Sequence, residues 1–202
     1  MAKYNLQPLS TIDDTYAHGL LPQRNQKGVY YSDSSCRANL SQFQLSSENR
    51  RILRKTDSFT YQLLPLDQFD FNPKVKKQCL DWAQVQSWDF PSSSIKSIFT
   101  NHIFTHVYRW QEKDLPIAYA ICYFSAQVSH IAYVFYHPDF GRNSLPIRLV
   151  LQAIIDSHQL GLKYCYLGRF SPPLGFYKRT MPGFEIYHQN QWLTYPQWLN
   201  QS

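Results

Sequence analysis

The sequence has little cysteine and spreads it thinly: Cys36, Cys79, Cys122 and Cys165 lie far apart and form no CxxC pair. That spacing excludes a zinc ribbon and, in a chain of 202 residues, a disulfide framework. The seven histidines show no HExxH or other ligand spacing, so no metal site is expected. No nucleophile elbow and no Cys–His signature is present, which removes the usual routes to a covalent enzyme intermediate. No run approaches the roughly 18 apolar residues that a membrane span needs, and the opening MAKYNLQPLSTIDD lacks the apolar core of a secretion signal. Internal repeats and low-complexity tracts are missing as well. A cytoplasmic protein with no membrane contact, no cofactor and no metal is the expectation.

What is present is aromatic and basic. Aromatic residues make up 16%, with fifteen Tyr and thirteen Phe. They favour strands, and they supply flat faces on which bases can stack. A hydrophobic content of 44% against 17% charged places the chain among folded globular proteins. The formal charge of +6 lowers the free energy of a polyanion at the surface, which makes nucleic acid a candidate partner. The length suits one substantial core, or two small lobes that share a cleft.

The first quarter, to about Lys55, is polar and turn-rich, with one short strand predicted at 28–32. Ser46 or Ser47 is placed to cap a short helix that ends in RRILRK. Residues 58–66 read as a strand. Asn72 and Pro73 then open a helix carrying Val75, Leu80, Trp82, Ala83 and Val85, and Lys74, Lys76 and Lys77 oppose its dipole. A short helix is predicted at 94–99. Strands at 102–110, 116–124 and 129–137, joined by the short polar stretches QEKDL and SAQV, form an antiparallel meander. After the loop PDFGRNSLP, the residues Ile147, Val150, Leu151, Ile154, Ile155 and His158 recur at helical spacing. Gly161 ends that helix, and 162–168 is the next strand. A meander that feeds a β-loop-α-β unit predicts an α+β fold. Its sheet is mixed and largely antiparallel, flanked by helices, with a ligand at the mouth of the central loop. The GNAT class, among others, has this arrangement.

GNAT acetyltransferases cradle the CoA pyrophosphate on a glycine-rich turn at the N-terminus of the corresponding helix. Here the turn GRNSLP holds one glycine, Gly141, and Pro146 has no N–H to donate. CoA is therefore not expected, and the scaffold calls for a different acyl donor.

The run from Val134 to Phe170 resembles the core of the arginyl- and leucyl-tRNA–protein transferases. The resemblance rests on Pro138-Asp139, Ser144-Leu145, Gly161-Leu162, Tyr164 and Tyr166-Leu167-Gly168, in matching order and spacing. Downstream, Tyr177, Lys178, Glu185 and Trp192 match the family's next block, and upstream RANLSQFQLSSENRRILRK is similar to its Arg–Phe–S-x-QRR-x-L stretch. The matches span much of the chain. They imply a small N-terminal lobe over 1–66 and a GNAT-like transferase domain over 67–202. The implied reaction moves arginine or leucine from aminoacyl-tRNA to the N-terminal α-amine of acceptor proteins, those beginning with Asp or Glu above all. The chain departs from the family in having no N-terminal cysteine cluster, and His137, Pro146 and Gly175 replace family residues.

Such a transfer needs two partners in register, a route for one proton and stabilisation of an oxyanion; proximity can supply most of the acceleration. Asp139 is a candidate to orient the amine or relay its proton, or else it caps the helix or its turn. Ser144 is a candidate donor to the ester or ribose, with helix capping as its other reading. Tyr136, Tyr164 and Tyr166 alternate along their strands, some toward the core and others toward the cleft. The resemblance assigns Tyr177 and Lys178 to an acidic acceptor side chain or the 3′ phosphate, and puts Gly168 beside the substrate. Glu185 is a candidate to read an arginyl side chain, with an ordinary strand-face acid as its other reading. Arg37 is a candidate for the acceptor pocket, where a guanidinium matches a carboxylate in bidentate fashion. Arg50, Arg51, Arg54 and Lys55 fall on one helical face and form the expected tRNA contact. Two rival readings keep the fold, one with another acyl donor and one as a non-catalytic tRNA-binding module.

Overall fold

The computed structural model describes every residue except 1, 2, 7, 8, 25, 174 and 202, with the backbone alone at 3–6 and 143. A small antiparallel sheet holds β1 (Lys3–Leu6), β2 (Leu20–Pro22) and β3 (Tyr30–Ser32) in the order β1-β3-β2, with helix α1 (Ile12–Ala17) between the first two strands. The large sheet has eight strands: β4 (Ser35–Asn39), β5 (Phe59–Pro65), β6 (His106–Glu112), β7 (Leu115–Phe124), β8 (Val128–Tyr136), β9 (Tyr164–Arg169), β10 (Phe184–His188) and β11 (Gln191–Thr194). Their spatial order is β11-β10-β4-β9-β8-β7-β6-β5, and only the β8–β9 pair is parallel. The helices are α2 (Ser47–Lys55), α3 (Pro73–Val85), α4 (Ser92–Thr100), α5 (Leu145–Gln159) and α6 (Tyr195–Leu199). This is the α+β, largely antiparallel architecture that the pattern predicts.

Local chemistry sets the helix starts. Ser46 closes a capping box with Asn49 at the head of α2, and the Asn72 side chain accepts from the amides of Lys74 and Val75 to open α3. The apolar stripe of α5, including Leu145, Leu149, Leu151 and Ile154, is buried in one core with Ala118, Ala120, Ile131, Cys165 and Leu167 of the sheet. A second core packs Cys79 and Trp82 of α3 and Ile95, Ile98 and Phe99 of α4 with Val107, Tyr119, Ile121 and Phe135. A third joins Tyr16 and Leu21 of the N-terminal segment to Val128 and Tyr166. Among the described residues no helix is long and apolar enough to cross a membrane.

Three of the differences from the pattern bear on the large sheet. The strand predicted from 102 begins at His106, because His102 takes a left-handed φ of 55° and Asn101 turns its side chain onto the Ile103 amide. No strand is legible at Ser35–Asn39, yet β4 sits in the middle of the sheet between β9 and β10. The division expected at Leu66 falls across this sheet, since β4 and β5 both belong to it.

Candidate active site

The site begins where two strands part. β8 and β9 are paired only at Val128–Tyr164, Ser129–Cys165 and His130–Tyr166. Just beyond, Tyr133 faces Ile121 and Ile131 faces Cys122, so Ala132 is an extra residue in β8. Such a bulge bends its strand, and β8 leaves β9 at this point. Backbone carbonyls left without a neighbouring strand need another donor. Lys178 supplies it: Nζ donates to Leu167 O and to Arg169 O, each at 2.7 Å. Between these, Gly168 O accepts from Cys36 Sγ at 3.2 Å. An ammonium carries three hydrogens, and these two bonds leave one. Desolvation holds Lys178 below the usual lysine range, opposed weakly by nearby Cys36, whose own thiol burial pushes up to about 11.

A cleft of about 570 Å³ opens from this split. Val134 and Tyr136 of β8, Pro146 of α5, and Arg169, Tyr177 and Lys178 line it, with Gln86 and Trp88 from the end of α3. Gln86 Nε2 donates to Tyr136 O at 3.2 Å, and the Trp88 ring meets Tyr136 edge-on at 5.6 Å. Burial raises the phenols of Tyr136 and Tyr177, so both stay protonated at neutral pH. Arg169 Nε is held at 2.8 Å by the Asp33 carboxylate.

Of the residues singled out from sequence, Tyr136, Tyr177 and Lys178 meet in this cleft. Ser144 stands at the head of α5, but its side chain caps nothing. Its φ of 67° is left-handed rather than extended, and Pro146 at the second helical position has no amide to offer. Its Oγ lies 3.5 Å from Lys55 Nζ, which also donates to Arg142 O at 3.3 Å. Neither placement expected for Asp139 is observed. Its carboxylate is 85% exposed, it is absent from the cleft lining, and the turn Pro138–Asn143 is capped by His137, whose Nδ1 accepts from the Asp139 amide.

Arg37 also requires correction, and Glu185 takes its strand-face reading, not the arginyl one. They face each other across β4 and β10 and form an ion pair of 2.7 Å, with side chains 8% and 9% exposed. The guanidinium lies over the rings of Tyr164 and Trp192, and Glu185 accepts a further bond from Asn39. Each charge is satisfied by the other, so neither is presented to a carboxylate or to an arginyl side chain. Tyr166 is buried against Tyr16 and Trp192, outside the cleft lining, and burial pushes its phenol up to about 12. Gly168, with a φ of 74°, is half-buried and is absent from the cleft lining.

Arg50, Arg51, Arg54 and Lys55 are all exposed on α2. Arg51 is held by Glu48 through two bonds of 2.7 and 2.6 Å, and Arg50 donates to Leu45 O. Arg54 is the least engaged cation of this face, and Lys55 reaches the head of α5 beside the cleft. Sequence reasoning misses Gln86 and Trp88, because nothing in the helix pattern says that the end of α3 reaches β8. It also misses His130, whose Nδ1 lies 2.9 Å from Tyr16 Oη and whose Nε2 has no partner among the described residues. Among the described residues no group of three or more His, Cys, Asp or Glu is placed to hold a metal ion.

No family model matches the sequence. It is 24% identical over 168 residues to an aspartate/glutamate leucyltransferase of Ruegeria pomeroyi, covering 78% of this chain and 60% of that protein. It is 26% identical over 165 residues to the aspartate/glutamate leucyltransferase of Acinetobacter baumannii, with the same coverage. The chain thus spans about 60% of the length of these curated relatives. Among solved structures, the C-terminal domain of a protein described as a lysylphosphatidylglycerol synthetase from Agrobacterium fabrum superposes with a TM-score of 0.53. It is 13% identical and covers 83% of this chain and 53% of that one. A GCN5-related glucosamine N-acetyltransferase region of a fungal β-N-acetylglucosaminidase gives 0.51 at 13% identity, covering 76% of this chain and 19% of that one. These solved structures share the overall fold, and the sequence matches add descent: the protein is a distant homologue of the aspartate/glutamate leucyltransferases on a GNAT-like fold.

Proposed function

We propose that this protein transfers leucine from aminoacyl-tRNA to the N-terminal α-amine of proteins that begin with Asp or Glu. The observation that carries the reading is the β8–β9 split, with the charge of Lys178 anchored on two strand carbonyls at the cleft. The donor ester is already activated, and an α-amine with a pKa near 8 is about one-tenth neutral at pH 7. The cleft therefore has to align the two partners and steady the oxygen that becomes negative. A cation fixed before the reaction does the second task without reorganising. The Tyr136 and Tyr177 hydroxyls offer further donors at the same cleft.

Leucine rather than arginine is favoured by the lining. Val134, Pro146 and Trp88 give it apolar walls, and none of the described lining residues is acidic, so an arginyl guanidinium has no counter-ion there. With Arg169 paired to Asp33, Lys178 supplies the unpaired positive charge of the cleft lining, which suits an acceptor whose first side chain is a carboxylate. The basic face of α2 comes to the head of α5 through Lys55, a position from which Arg54 and Lys55 meet the phosphates near an esterified tRNA end. The resemblance to the arginyl- and leucyl-tRNA–protein transferases implies that the added residue marks the acceptor for degradation.

The test mixes the protein with charged total tRNA and peptides that differ only at their first residue. Mass spectrometry should find a leucine added to Asp- and Glu-initiated peptides. Extension by another residue would overturn the leucine assignment, and no extension of any peptide would overturn the transfer.

A further inference from the structure

His130 is 3% exposed, and its imidazole takes part in nothing so far described except the bond to Tyr16. It occupies the last paired position of the β8–β9 ladder, at the closed end of the split. Nε2 faces Gly168: a Cβ built on that glycine would lie 3.8 Å from Nε2, and apart from Gly168 and its two chain neighbours no other described atom comes within 4 Å. The two carbonyls on either side of Gly168 are those that hold Lys178. A wholly buried polar nitrogen with no partner among the described residues thus lies beside the glycine whose flanking carbonyls hold an ammonium with an unused hydrogen. Buried polar atoms are almost always satisfied, and a water with several polar neighbours is the usual substitute.

We propose that His130 Nε2 and the remaining hydrogen of Lys178 hold one ordered water beside Gly168, and that this water carries the proton of the attacking amine to the departing ribose oxygen. The inference rests on the aminoacyl-transfer reading above. The water accepts from Lys178 and donates one hydrogen to Nε2, which places the imidazole proton on Nδ1, donated to Tyr16 Oη. Its second lone pair faces the amine, and its second hydrogen faces the ester. As the amine nitrogen bonds to the ester carbon, the water takes the N–H proton. It gives its own hydrogen to the ribose oxygen as the C–O bond breaks, and is restored unchanged. Burial first, and the charge of Lys178 second, push His130 down to about 3, so the ring remains a neutral acceptor and never stores the proton. His130 is thus a positioning residue.

His130→Phe removes the acceptor but keeps a flat ring, and His130→Gln keeps an oxygen that can hold the same water. With saturating leucyl-tRNA and an Asp-initiated peptide, H130F should lower kcat about 100-fold, in the range of a lost proton relay. KM for both substrates should stay unchanged, and H130Q should recover part of the rate. Melting curves establish that each variant folds; should H130F fail to fold, Tyr16→Phe unfixes the tautomer and should lower kcat with KM unchanged. A high-resolution crystal structure of the wild type should show density within hydrogen-bond reach of both Nε2 and Nζ. Wild-type kcat in folded H130F, or no water at that place, overturns the proposal. A wild type that transfers nothing overturns the relay together with the reading beneath it, whereas wild-type transfer with unimpaired H130F overturns the relay alone.

Discussion

Acid should destabilise this protein through His130 in a measurable and removable way. The folded state holds the ring neutral, displaced from 6.5 to about 3 by burial chiefly and by Lys178 in addition. Once unfolded, the chain takes up a proton at the ordinary histidine value. Above 6.5 neither state binds it, and the group contributes no slope. Between 6.5 and about 3 the unfolded state binds more, so stability falls as the pH falls, and below that it levels off. At about 1.4 kcal/mol per pH unit the full displacement amounts to about 5 kcal/mol, of which about 3 kcal/mol is lost by pH 4. His130→Gln removes the titration. It leaves Tyr16 with a weaker partner, at a cost of about 1 kcal/mol at pH 7. The two proteins should therefore cross: wild type more stable at pH 7, H130Q more stable at pH 4. Urea unfolding followed by tryptophan fluorescence at pH 7, 5.5 and 4 measures this directly. Parallel pH slopes for the two proteins would refute the buried, neutral imidazole.

Glu185→Ala leaves the Arg37 guanidinium buried without its carboxylate and should lower stability by about 3–5 kcal/mol in urea unfolding. The folded fraction should keep its KM for acceptor peptides; a KM that rises while stability holds would return Glu185 to the substrate. Arg54→Glu and Lys55→Glu should each weaken tRNA binding and reduce the salt slope of the affinity by about 1. Filter binding across a salt series checks this, and kcat at saturating tRNA should not move.

Much of the sheet was legible because its meander has strand-length apolar runs divided by short polar connections, as β6, β7 and β8 show. The helices α2, α3 and α5 carry their own signals in Ser46, Asn72-Pro73 and the stripe from Leu145 to Ile154. β4 carries none. SCRAN has no β-branched or aromatic residue, and it is a strand because β9 and β10 pair with it on both sides and bury Cys36 and Ala38. The cleft was legible only in part. Tyr136, Tyr177 and Lys178 stand beside the loop and block that point to it, whereas Gln86 and Trp88 arrive from a helix nearly fifty residues away from β8. Arg37 and Glu185 mislead for a related reason: a charge that reads as a ligand contact in one dimension meets its opposite across two strands. The bulge at Ala132 is equally invisible, since an extra residue in an alternating apolar run shows only when the partner strand is known.

The central claim is that the cation seated in the β8–β9 split stabilises the transferring ester. Single-turnover transfer from leucyl-tRNA to an Asp-initiated peptide by Lys178→Met, beside Asp139→Asn, tests it most directly. K178M should lose about 100-fold or more in rate with tRNA affinity retained, and D139N should keep a near-normal rate. A K178M protein that folds and transfers leucine at the wild-type rate would contradict it.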